Sequence, residues 1–413
     1  MSKNYKWEVL LLLWIAFFVN QADRQVFNVV LPLVKSDLGL SDIQIGWIAT
    51  LFNLFYAILV PVAGYFADIY SKKWIIVGSI LFWSTATMFT GLSNGVMMLI
   101  IMRSLATGGG EAFFGPANYT LLAAYHKDTR SFAMSVHQTS YYVGIILSGL
   151  IAAYIGERWG WRNAFYIFGA FGVIHGIVMA FRLKDRNDGQ AAVGKGEVTF
   201  LAGLKVLFQT PTALILTIAF SGLIFVLVGY LTWTPTYLFE EFGMTLTSAG
   251  FHSMFYTHLF AFVGILSAGP ISDRLAKYSP GKRLLLQAMG LLFAAPFIVL
   301  MGKSTVVWIT YIGFAGFGFG RAFFDANTYA VLYDVIPRKY RSTASGMMMM
   351  IGFSVGATAP LVLGYLKPVI GLSTGISLLS VVWLLCGGLL LVGYKYFFAR
   401  DYRNMQLKEV NHI

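Results

Sequence analysis

Cysteine is almost missing from this chain. Cys386 is the only one in 413 residues, which excludes an internal disulfide and any cysteine-based metal cluster. Charge is scarce too: Asp, Glu, Lys and Arg make up 12% of the sequence, against about 25% in a soluble domain. No pair of histidines converges with carboxylates, so no resident metal or other cofactor is expected. No nucleophile–base pair appears either, which argues against an enzyme. The net charge of +12 would suit nucleic acid, but the Lys and Arg residues fall in short loops between apolar runs and form no basic face. The first apolar run continues into a charged helix without a small-residue cleavage site, so it is expected to be retained rather than removed as a signal peptide.

What fills the chain is apolar sequence, 57% by composition with a mean hydropathy of +0.70. One soluble core cannot absorb that much, which makes this an all-α polytopic membrane protein. Turn and charge signals cut the apolar runs into twelve helices: 7–34, 43–67, 74–93, 96–124, 131–155, 162–182, 209–239, 248–271, 283–301, 305–334, 342–366 and 371–398. Each is long enough to cross a hydrocarbon core of about 30 Å. The long polar segment is RLKDRNDGQAAVGKGEV, between the sixth and seventh helices. The expected domains are thus a first six-helix bundle (1–182), a linker (183–208), a second bundle (209–398) and a tail (399–413). Basic residues crowd the loops on one side of this arrangement, Lys72, Lys73, Lys184, Lys205, Lys282 and Arg283 among them. The other side has only Lys35, Arg158, Arg162, Lys303 and Lys367. Basic loops mark the cytoplasmic face, so both termini and the linker are expected there, in a cytoplasmic (inner) membrane.

The two halves repeat each other. Glu111-Ala-Phe-Phe in helix 4 lies over Arg321-Ala-Phe-Phe in helix 10, six helices on. Gly64-Tyr-Phe-Ala-Asp68 after helix 2 is likewise echoed by Gly269-Pro-Ile-Ser-Asp273-Arg274 after helix 8. Parallel repeats of this kind are the plan of rocking transporters, whose site lies between the halves near mid-membrane.

Over essentially its whole length the chain resembles the major facilitator superfamily. The loop after helix 2 is similar to the superfamily's G-x-x-x-D-R-x-G-R-K signature, with Ile69 in place of the basic residue and Ser71 in place of the glycine. Three segments resemble the anion:cation symporter family, whose members carry sugar acids and other organic anions with protons. They are Asn20-Gln-Ala-Asp23-Arg24, Gly110-Glu111-Ala-Phe-Phe-Gly-Pro116-Ala-Asn118, and Trp233-Thr-Pro235-Thr-Tyr237-Leu. The spinster family of lipid transporters shares the first Asp-Arg and the Gly-Glu-Ala, and a membrane sensor on a transporter scaffold is a third reading.

Charges inside the spans carry the functional expectations, because a charge at the bilayer centre costs about 2.5–3.5 kcal/mol even on the lenient insertion scale. The resemblance implies proton binding by Asp23 and Glu111 and substrate-anion binding by Arg24. Adjacent on helix 1, Asp23 and Arg24 point about 100° apart. The expected arrangement aims Arg24 at a central cavity and Asp23 toward helix 4. Burial favours the protonated acid and a nearby Arg the ionised one, so an anion that occupies the Arg should drive protonation of the acid. Arg103, a further candidate for substrate contact, precedes Glu111 by eight residues, where the similar families have about seven, which leaves its exact role open. Tyr56 matches a family tyrosine that hydrogen-bonds substrate, with Asn53 one turn earlier. Arg321 is either a second anion anchor or the partner of Asp325 one turn on. Asn118, Gln138 and Asn327 are further candidates for substrate contact. His137, His252 and His258 are read as relay or packing residues, and His175 as structural. Asp68, Asp273 and Arg274 are expected to hold the cytoplasmic side closed. The protein is expected to act as a monomer on a small anionic molecule.

Overall fold

The computed structural model describes residues 5–126, 129–185, 200–337 and 340–410. All regular structure among them is helical. The first six long helices are α1 (Tyr5–Leu38), α2 (Asp42–Ile69), α3 (Lys72–Thr90), α4 (Val96–Tyr125), α5 (Arg130–Trp159) and α6 (Trp161–Arg182). Then follow α7 (Pro211–Phe242), α8 (Leu246–Ala276), α9 (Lys282–Lys303), α10 (Val307–Val335), α11 (341–370) and α12 (372–397). Ten described stretches are long and apolar enough to cross a membrane. One of them, Thr343–Leu407, holds both α11 and α12. The nineteen-residue α3 falls short because it opens on Lys72-Lys73 and carries Ser79, Ser84 and several threonines.

Local chemistry sets the boundaries. Ser41 and Gln44 form a capping box at the start of α2, each side chain meeting the other's backbone N–H. Ser71 caps α3 by accepting from the Trp74 N–H at 3.3 Å. Gly39 ends α1 and Gly243 ends α7, while Gly160 separates α5 from α6 and Gly371 separates α11 from α12. These four glycines have φ between +59° and +86°, and no other residue type in the described chain has positive φ. Only glycine enters that region without a Cβ clash. The internal repeat is therefore written in the backbone as well as in short sequence echoes: the same two turns break each half.

Two segments depart from expectation. The linker ends in a helix, Phe200–Gln209, which lies against α11, with Gly203 close to Thr343; residues 186–199 of that linker lie outside the described residues. The tail is also a helix, Phe398–Val410. Asp401 there is 5% exposed and its Oδ2 accepts from the Thr212 N–H at 2.9 Å and Oγ1 at 2.8 Å, capping the start of α7.

The chain divides into two compact units. The first comprises Met1–Val193, Leu231–Met254 and Pro360–Tyr365; the second Gly194–Tyr230, Phe255–Ala359 and Leu366–Ile413. One boundary falls in the linker, and parts of α7, α8 and α11 also belong to the first unit. Glycines explain their attachment. A Cβ on Gly149 would lie 2.6 Å from the Gly250 carbonyl oxygen, and one on Gly46 only 2.7 Å from the Leu361 Cα. Backbone approach this close is what holds membrane helices together where no hydrophobic force does. Glu157 adds a cap, accepting from the Thr247 N–H at 3.1 Å at the start of α8. Within the first unit α1 runs along α5 and α6, α3 along α6 and α4, and α2 along α4. In the second, α9 packs along α10.

Gly149→Val should destabilise the protein by about 1–3 kcal/mol through overpacking, read as a lower midpoint of thermal unfolding in detergent. Gly388→Ala, where a Cβ meets nothing within 4 Å, should keep that midpoint or raise it, since alanine is favoured over glycine inside a helix by up to about 1 kcal/mol.

Candidate functional site

Helix α1 delivers Asp23 and Arg24 to the interior of the first unit, and α4 delivers Arg103 and Glu111. All but Arg24 are nearly inaccessible: Asp23 and Glu111 are 1% exposed and Arg103 is 4% exposed. Arg24 Nε donates to Glu111 Oε2 at 2.5 Å, and the Arg24 side chain keeps 21% of its surface exposed against 0% for Glu111. Its guanidinium also lies 4.2 Å from the centre of the Tyr56 ring, a cation–π contact. Asn20, one turn before Arg24, stands beside Glu111.

Asp23 turns elsewhere. Trp83 Nε1 on α3 donates to its Oδ2 at 2.9 Å, with Thr87 beside it. Asp23 thus meets α3 rather than α4, and it is Arg24 that reaches α4. Helix α1 is flanked by both neighbours, and the 100° between successive residues sends one side chain to each. The two carboxylates and Arg103 remain close enough to act on one another electrostatically.

Among the described residues Arg103 forms no ion pair. Its Nη2 donates to the Arg24 backbone carbonyl at 3.0 Å, and its guanidinium lies 4.0 Å from the centre of the Phe52 ring. Among the described residues its Nε and Nη1 meet no acceptor. The eight-residue spacing to Glu111 has a structural answer, since Ile100–Thr107 is π-helical. Such a turn is the usual trace of one residue inserted into an α-helix, frequent at functional sites. It widens the turn without breaking the helix, so Arg103 and Glu111 both stay buried beside α1. Gly108, Gly109 and Gly110 follow directly. A Cβ on Gly108 would lie 3.0 Å from the Phe52 carbonyl and one on Gly110 2.8 Å from Phe82, so the run lets α4 close on α2 and α3.

The other candidates separate. Asn118 Nδ2 lies 3.0 Å from His137 Nε2, both fully buried, and the imidazole stacks on Phe17 with centroids 4.9 Å apart. Gln138 is exposed on α5, and Asn53 donates to its own helix at the Ala49 carbonyl. His175 Nε2 lies 2.9 Å from the Leu12 carbonyl. Arg321 Nε donates to Asp325 Oδ2 at 3.0 Å, so of the two arrangements left open the structure holds the ion pair. Asn327 is fully buried, donates to the Phe323 carbonyl at 2.9 Å and accepts from Ser272 Oγ, so in this structure its amide is engaged within its own bundle. Tyr329 donates to Met349 Sδ at 3.3 Å. Asp273, 77% exposed, pairs with Arg283 at 3.5 Å, and Arg283 also meets Asp334 at 3.2 Å. Arg274 is exposed, and the side chain of Asp68 lies outside the described residues.

Sequence reasoning missed Trp83. One of ten tryptophans, it gives no sign that its indole N–H serves a carboxylate sixty residues away. Trp83→Phe should destabilise by about 1–3 kcal/mol, the cost of a buried acceptor left unmatched. A double-mutant cycle with Asp23→Asn, followed by thermal unfolding, should show strong non-additivity; simple addition would dissolve the pair.

With this geometry in view, likeness to known proteins acquires meaning. A probable sulfoacetate transporter of Cupriavidus necator is 27% identical over 384 residues, covering 87% of this chain and 86% of its own. A hexuronate transporter of Bacillus subtilis is 25% identical, covering 92% of each chain. The crystal structure of a bacterial homolog of the human lysosomal transporter Spinster, inward-facing and occupied, superposes with a TM-score of 0.83 over 97% of this chain and 99% of that one, at 19% identity. That likeness concerns the fold. The family model described as Major Facilitator Superfamily matches residues 13–360. A multi-pass helical membrane protein with this match over most of its length is a member of the major facilitator superfamily of transporters.

Proposed function

We propose that the protein is a secondary active transporter of the cytoplasmic membrane, carrying a small organic anion together with protons by alternating access, with both termini in the cytoplasm. A sugar acid is the favoured substrate class. The observation that carries this reading is the Arg24–Glu111 pair, in which the cation is partly accessible and the acid is not. Asp23, Glu111, Arg24 and Arg103 together sum to zero charge when both acids are ionised. An anion arriving at Arg24 competes with Glu111 for the guanidinium. Glu111 then stands buried without its cation, an expensive state, and a proton relieves it. Proton and anion affinities are therefore coupled, each raising the other by the same factor. Tyr56 against Arg24 supplies a hydroxyl and a ring face for a polyhydroxylated anion. In the second bundle Arg321 is already neutralised by Asp325, which leaves coupling to the first.

The sugar-acid class draws on relatives such as the hexuronate transporter and on the anionic specificity that Arg24 imposes. A lipid substrate is the competing reading, since Protein spinster homolog 1 of Xenopus laevis is 27% identical over 88% of this chain. Proteoliposomes separate the two: hexuronates or aldarates should compete saturably for uptake and lysophospholipids should not. Arg24→Ala should abolish both uptake and exchange. Glu111→Gln should lose proton-driven accumulation by at least about tenfold, the scale of one buried charge interaction, while counterflow persists. Equal loss of accumulation and counterflow in Glu111→Gln would remove Glu111 from the proton path.

A further inference from the structure

The first unit holds a cavity that the transport site does not use. It is an open groove of about 450 Å³ between α2, α3 and α4, within the ~300–1,000 Å³ range of small-molecule sites. Phe55 and Leu59 form one wall, Phe82 and Ile75 another, and Leu105 and Phe113 a third, over a floor of Gly109 and Gly110. Along α3 it extends from Trp74 to Phe82, eight residues or about 12 Å of helix. That is most of one leaflet of a hydrocarbon core about 30 Å thick.

Gly78 lies in the middle of this wall. It is exposed, and a Cβ there would meet nothing within 4 Å. A helix-interior glycine costs about 1 kcal/mol relative to alanine, yet among the described residues no neighbouring helix needs its small size. Gly110, at the floor, would by contrast collide with Phe82. The space over Gly78 is therefore open to a molecule from outside the chain.

One end of the groove is basic. Lys72 and Lys73 are the first two residues of α3, where the helix dipole adds positive potential. Lys73 Nζ lies 4.7 Å from the centre of the Trp74 ring, and Trp74, 60% exposed, lines the groove. An apolar trough of one-leaflet depth, with an indole and the Lys73 ammonium at its mouth and Lys72 beside them at the helix start, has the chemistry of a lipid site. Tryptophan favours the headgroup level, and basic pockets between spanning helices take acidic headgroups. We propose that this groove binds an anionic phospholipid, one acyl chain lying over Gly78 and the phosphate held by Lys72 and Lys73. In the orientation proposed above the lipid belongs to the cytoplasmic leaflet, but binding itself does not rest on orientation or on transport. The groove's floor is the backbone that immediately precedes Glu111, and Phe82 in its wall precedes Trp83, the donor to Asp23. A bound chain would thus touch both helices that hold the buried charges.

The test uses purified, delipidated full-length protein in detergent, titrated with phosphatidylglycerol or phosphatidylcholine brominated on the acyl chains. Quenching that disappears in Trp74→Phe reports the groove. Phosphatidylglycerol should quench saturably at lower concentration than phosphatidylcholine, and Lys72→Gln with Lys73→Gln should weaken it by about tenfold or more, as the loss of two surface cations implies. Gly78→Leu, placed in open space and so expected to fold, should remove the Trp74-dependent quenching by either lipid. Equal quenching by the two lipids, indifference to the lysine substitutions, or wild-type quenching in Gly78→Leu would each overturn the proposal.

Discussion

Four ionisable side chains in an apolar interior have to balance one another, and the first bundle is built around that requirement. Asp23 and Arg24 come from one helix, Arg103 and Glu111 from another. None is cheap to bury singly, and as a set their charges cancel. The solution is uneven. Glu111 takes Arg24 outright, Asp23 takes an indole N–H, and Arg103 rests on aromatic faces and a backbone carbonyl. Such a group is poised rather than locked, because moving one cation changes what the two acids need.

Getting four long side chains to one place demands that their helices nearly touch. The Gly108–Gly110 run and the π-turn before it meet that demand together, the glycines by removing side chains and the turn by absorbing an extra residue. The second bundle solves the same problem more simply. At the repeat-related position of α10, Arg321 finds its carboxylate one turn along the same helix, so no second helix has to supply it. The two halves share a backbone plan, down to paired left-handed glycines at their turns, and differ in how they balance charge.

The membrane character, the succession of long helices, the repeat and the buried charges were all legible in the sequence, because each depends on composition or on spacing along one helix. Hydrophobic length and loop charge act locally, and an Arg inside an apolar run stands out without coordinates. The spacing of Arg103 and Glu111 even carried the trace of the π-turn, as an extra residue without an evident purpose. Less was legible in the polar residues. Asn118, Asn327 and Gln138 look alike on paper, yet one faces a histidine, one bonds within its own bundle and one is exposed. An amide's partner is decided across helices, where sequence separation conveys nothing.

What the chain determined alone was thus one-dimensional: where the apolar runs start and stop, where the glycines permit a turn, and which charges must be hidden. Only the tertiary structure decided which hidden charge meets which. Two residues side by side on α1 went to different neighbours, Arg24 to α4 and Asp23 to α3, because the rotation between adjacent residues is fixed while the direction of the neighbouring helices is set by packing. The tail's Asp401 capping α7 is settled in the same way, by a contact between segments nearly two hundred residues apart that no local pattern could announce.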